Sequence, residues 1–256
     1  MTSPTDEPFL LFGISITIMV LSAWVGTLLS GMQRILKEGA REDFGVIQAA
    51  TLTLLGLIIG FTFSMALGRY DQRKDYEEAE ANAIGTEYLR AELLPPDDAA
   101  RVQPLLLAYL DQRIQFYTAR DEEPQRQILS RTARLQRDLW AAVQAPAVTR
   151  PDPITTLVAQ GMNDVLNSQG YTQAAWWNRI PTAAWGLLLA IAICSNVLIG
   201  IGTRNARREF LFLLILPLIV AVAFLLIADI DSPRQGMIRV APENLLSLSQ
   251  SLRAPE

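Results

Sequence analysis

The chain has 256 residues, 50% of them hydrophobic, with 22 Lys and Arg against 26 Asp and Glu and no histidine. A net charge of −4 makes nucleic acid a poor partner, and the lack of histidine removes the commonest metal ligand and general base, along with Ser-His and Cys-His catalysis. One cysteine, Cys194, excludes an intrachain disulfide and leaves the redox compartment open.

After a short acidic tail, Phe9–Leu29 is the first of four uncharged runs long enough to cross a hydrocarbon core. No Lys or Arg precedes it and it exceeds a signal-peptide core, so it reads as a retained span. The other three spans are Phe44–Leu67, Ile180–Ile201 and Phe210–Ile230, and Asp229 is the only Asp, Glu, Lys or Arg in any of them. The spacing therefore predicts an all-α, multi-pass membrane protein with four transmembrane helices and a helical extramembrane domain between spans two and three. The expected organisation is a first hairpin at 1–67 (spans 9–29 and 44–67), an extramembrane domain at 68–179, a second hairpin at 180–230 (spans 180–201 and 210–230) and a polar tail at 231–256. No alternating run of β-branched residues predicts a sheet.

Small residues in the first span, Gly13, Ser15, Ser22 and Gly26 among them, suit close helix approach. In the second span Gly56, Gly60, Ser64 and Gly68 recur every fourth residue and share one face, which predicts helix packing. Thr53, Leu57 and Phe61 form a neighbouring stripe that could face lipid, another span or a pore. The charge pattern changes at Gly68–Arg69, with no Gly or Pro to stop a helix before Gly85. One helix is expected to leave the bilayer and run on to near Leu94.

Its wet half is predicted to turn Tyr76, Ala79, Ala83, Ile84, Tyr88 and Ala91 inward. The carboxylates Asp71, Asp75, Glu77, Glu78 and Glu80 then read as a solvated face, with a cation site or a catalytic pair as alternatives. Pro95–Pro96 ends this helix, and Asp97 and Asp98 suit the start of the next. A further helix runs through Ile128, Leu129, Leu135, Leu139 and Val143. Pro146–Pro153 reads as a loop, and Asp152-Pro153 as cap and first turn of the following helix. Trp176, Trp177 and Trp185 suggest an interfacial belt at the third span, and Asn196 within it suggests a polar link between helices or a lining residue. Asp229 and Asp231 read as the end of the fourth span. There is no phosphate-binding glycine loop and no metal-ligand spacing, so neither enzyme nor cofactor is expected.

The stretch EANAIGTEYLR, from Glu80 through Asn82 to Arg90, precedes Leu94-Pro95. A second pattern, D-x-P-x-x-G-x-I-x-V-x-P, follows the last span as Asp231, Pro233, Gly236, Ile238, Val240 and Pro242. Together these resemble the bestrophin-like family, largely uncharacterised membrane proteins of bacteria and plants. Gly60-Phe61 followed by Arg69-Tyr70-Asp71 is more remotely similar to the bestrophins, which are pentameric anion channels. The resemblance implies a homo-oligomer, a pentamer by analogy, passing chloride or other ions across a cell membrane, such as a bacterial inner membrane. It also implies that the second span lines the pore, with Thr53, Leu57 and Phe61 at its neck. The acidic calcium clasp of animal bestrophins has no match.

The basic residues do not decide the orientation. Arg34, Lys37, Arg41, Arg204, Arg207 and Arg208 on the short turns are balanced by six basic residues at the opposite span ends. The short-loop weighting of the positive-inside rule would export the domain, whereas the resemblance implies that the domain and both termini are cytoplasmic. A non-conducting scaffold or sensor, whose helical domain binds a partner, is the second functional class.

Overall fold

The computed structural model describes residues 7–30, 38–203 and 210–254, all helix and connection with no strand among them. The elements are α1 (Pro8–Leu29), α2 (Glu38–Ala91), α3 (Pro96–Thr118), α4 (Glu122–Thr149), α5 (Pro153–Trp177), α6 (Thr182–Gly202), α7 (Phe210–Asp231) and α8 (Glu243–Ser251). Four helices among the described residues are long and apolar enough to cross a membrane. The basic turn residues Arg34, Lys37, Arg204, Arg207 and Arg208 lie outside the described residues.

α2 is a single helix of 54 residues, about 80 Å at 1.5 Å per residue. Contacts divide the chain into two units: Met1–Arg69 with Arg179–Ile238, and Tyr70–Asn178 with Arg239–Glu256.

In the first unit α1 packs on α6 and α7. A glycine pair brings α1 and α6 into close backbone contact. A Cβ on Gly26 would overlap the Val197 carbonyl and lie 2.8 Å from the Gly200 Cα, and a Cβ on Gly200 would overlap the Ala23 carbonyl. Lipid tails are as apolar as leucine, so close backbone contact of this kind, rather than hydrophobic exclusion, holds membrane helices together. Hydroxyls in the spans return to their own helix: Ser22 donates to Ile18 O, Thr62 to Ile58 O and Ser195 to Ile191 O. Asn196 does likewise, its amide donating to Ala192 O at 2.8 Å rather than linking two helices.

In the second unit the core joins α2 (Ala81, Ile84, Ala91), α3 (Val102, Leu106, Tyr109, Leu110, Phe116), α4 (Leu139, Val143) and α5 (Val158, Met162, Val165). Trp176 belongs to this core, with its ring 4.7 Å from Phe116 and 5.5 Å from Tyr117. Its burial corrects the belt reading; Trp177 is the exposed one of the pair. Asp152 and Thr155 form a capping box at the start of α5. Pro146 falls inside α4 instead of opening a loop. A proline this close to a helix end forfeits one hydrogen bond, and Arg150 N–H still reaches Pro146 O. The final segment forms α8, whose Leu245 is fully buried in the same core.

Candidate functional site

Two faces of α2 are distinct within the membrane unit. Leu55, Thr62 and Ala66 are buried at 2%, 4% and 0% exposure. Positions 55, 62 and 66 fall on one side of a helix with 3.6 residues per turn. Thr53, Leu57 and Phe61 lie on the opposite side, with Leu57 52% and Phe61 63% exposed. Thr53 is exposed too, and its hydroxyl donates to Ala49 O. Gly56, Gly60 and Gly68 have nothing within 4 Å of where a Cβ would stand, and Ser64 is exposed. The small-residue row and the apolar stripe thus belong to one free surface, and the tight glycine crossing of this chain lies at Gly26 and Gly200.

At the end of this surface, Arg69 Nη1 donates to Asp231 Oδ1 at 3.4 Å. Asp231 also accepts from the Ile180 amide at 3.1 Å, and Arg179 donates to the Asp231 carbonyl at 3.0 Å. Asp229 accepts from the amides of Met237 at 2.6 Å and Ile238 at 2.8 Å. Gly236 is required here, because a Cβ would overlap the Asp229 carbonyl oxygen. Pro233 is buried in the same turn. The two aspartates therefore do more than end a span: they fasten α7 to α2, to the start of α6 and to the chain after it. Asp229→Ala is expected to orphan two amides, each costing roughly 1–3 kcal/mol; loss of thermal stability in detergent measures it.

In the second unit the inward stripe of α2 is charged. Arg73, Glu77, Glu80 and Glu87 are at most 2% exposed, whereas Ala79 faces solvent. This corrects the reading of Glu77 and Glu80 as solvated; Asp71, Asp75, Glu78 and Asn82 do face water. Distant partners make the burial possible. Arg113 donates through Nε to Glu80 Oε1 and through Nη2 to Oε2, and Thr172 and Tyr117 add hydroxyls at 3.3 and 3.5 Å. Burial alone would lower the Arg113 pKa, but Glu80 outweighs it and the guanidinium is held more firmly charged than usual. Burial and the Glu80 charge push the Tyr117 phenol up, so it stays a neutral donor. The Arg113 guanidinium also sits 4.4 Å from the centre of the Phe116 ring. Glu77 accepts from Asn244 and from the Leu245 amide, and Arg73 donates to Ala175 O. Arg90 is half-buried and lies 3.9 Å from Glu87. The signal for this stripe was the spacing 73, 77, 80, 84, 87, 91, in which charged positions share a face with Ile84 and Ala91.

Residues 13–245 match the bestrophin-like domain family. The chain belongs to the bestrophin-like family. No curated protein matches the sequence. A bacterial bestrophin homologue from Klebsiella pneumoniae superposes with a TM-score of 0.65 at 13% identity, over 93% of this chain and 96% of that one. A point variant of the Klebsiella homologue gives 0.60 at 14% identity, over 90% and 98%. At such identities the likeness shows a common fold. This bestrophin-like chain is thus a four-span, all-helical membrane protein of bestrophin type.

Proposed function

We propose that the protein is an oligomeric ion channel of the cell membrane, selective for anions such as chloride, with α2 of each subunit lining a central pore. The observation that carries this reading is the free face of α2: Thr53, Leu57 and Phe61 are exposed, while Leu55, Thr62 and Ala66 on the opposite side pack inside the chain. A symmetric ring of such faces encloses a narrow apolar neck. Ions crossing it shed water without polar replacement, so the neck gates by dewetting. The glycines at 56, 60 and 68 leave room for subunits to approach about the axis. Five subunits, a cytoplasmic helical unit and a bacterial inner-membrane location follow the likeness to bestrophins.

A non-conducting scaffold is the second reading. It is favoured by Leu89 on the wet part of α2 and Leu93 just beyond its end, which are 60% and 53% exposed and offer an apolar surface to a partner. Native mass measurement in mild detergent, followed by ion flux in liposomes on the same preparation, separates the two. An oligomer with flux above empty vesicles supports the channel; a monomer at every concentration removes the basis for a pore.

A further inference from the structure

Glu87 is the one carboxylate of the inward α2 stripe that no hydrogen bond satisfies. Its side chain is 0% exposed, and neither oxygen has a hydrogen-bond partner. Glu80 and Glu77, about two and three turns earlier, are each met by donors from distant parts of the second unit. The nearest cation, Arg90 on the same helix, stands 3.9 Å away and is itself 29% exposed, so water competes for it. The carboxyl group rests directly on α5. A Cβ at Gly161 would overlap Glu87 Oε2 and Arg90 Nη1, so both side-chain ends lie against this glycine. Asp164, on the same helix, is the second acid acting on it. A cavity of about 260 Å³ adjoins the site, lined by Asn82, Thr86, Arg90, Gly161 and Asp164. Asn82, Thr86 and Asp164 are exposed, so water reaches its rim.

A carboxylate in this position is costly when charged. Desolvation opposes the ion, no donor compensates it, and a second acid repels it. A proton removes the charge, and with it the largest part of the cost, without moving an atom of the packing. We propose that Glu87 is a proton-binding site of the extramembrane unit, protonated while α2 packs on α5 at Gly161 and driving the two helices apart when it ionises.

Burial pushes the Glu87 carboxyl up to about 8, with Arg90 opposing the rise and Asp164 adding to it. These are the charged groups that act on it from its own helix and from α5. In the unfolded chain the same group titrates near an ordinary glutamate, about 4.3. Below that value both states hold the proton and the stabilisation is fully present. Between there and about 8 the unfolded chain has lost the proton that the folded chain keeps, so stability is lost as pH rises. Above about 8 both states are ionised and the loss levels off. The proton site stands whether or not the membrane unit conducts.

The test compares chemical-denaturation midpoints of the full chain, Glu87→Gln and Asp164→Asn in detergent, from about pH 5 to about pH 9. Glutamine keeps the shape and neutrality of the protonated acid, so its midpoint should lose the decline that the parent shows across this window. Asp164→Asn removes the repelling charge, so its decline should level off at a lower pH than the parent's. A decline that persists unchanged in Glu87→Gln overturns the proposal. So does an Asp164→Asn curve that levels off where the parent does, and this arm decides the matter if Glu87→Gln does not fold.

Discussion

Replacing Glu80 with alanine should destabilise the extramembrane unit by about 3–5 kcal/mol, because Arg113 is left charged and unpaired in a fully buried site. The loss is larger than that of the hydrogen bonds alone. Thr172 and Tyr117 also lose their acceptor, and the Phe116 ring beside the guanidinium cannot replace a carboxylate. Substituting both partners, Glu80→Leu with Arg113→Met, should recover much of the stability, since an apolar pair of similar volume avoids desolvating two charges. Denaturant unfolding of the parent, the single variants and the double variant measures the coupling. Equal and additive losses would show that Glu80 and Arg113 act independently.

The second large effect belongs to the membrane unit. Phe61→Ala should increase ion flux through reconstituted protein, because the largest member of the proposed ring is removed and the neck wets more readily. Leu57→Ala should do the same to a smaller extent. The change is not a core truncation, since Phe61 is 63% exposed within the chain, so little of the usual cost of a buried phenylalanine is expected from the subunit itself. Flux and melting temperature measured on one preparation separate the effects. Higher flux with similar melting supports the neck, whereas unchanged flux from a folded oligomer places Phe61 away from the conduction path.

The membrane architecture was legible because its signal is local: about 20 residues without charge can only be a span or a rare core helix. The continuity of α2 was legible for the same reason, since after Gly68 no Gly or Pro interrupts the charged stretch before Gly85. The Asp152 cap could be read from the Asp-Pro pair that places a helix start.

What stayed hidden depends on residues far apart in sequence. Glu77 and Glu80 look like a solvated face until Asn244, Arg113 and Thr172 are brought to them. Trp176 looks like an interfacial anchor until Phe116 and Tyr117 close over it. The glycine row of α2 is the more regular pattern, yet the tight crossing within the chain is made by the isolated Gly26 and Gly200. Asp229 at the end of the last apolar run was the clearest missed clue, because an ionisable residue there needs a partner; it finds the Met237 and Ile238 amides.

The central claim, that the free face of α2 lines a water-filled pore, is tested most directly by thiol block at position 61. Cys194 is exposed and must first be replaced with alanine. Phe61→Cys is then introduced, with Leu55→Cys on the buried face as the control. The channel reading predicts that a charged, membrane-impermeant thiol reagent reduces flux through the Phe61→Cys protein in liposomes and leaves the Leu55→Cys protein unaffected. A folded Phe61→Cys oligomer whose flux the reagent does not change, or which carries no flux above empty vesicles, would contradict it.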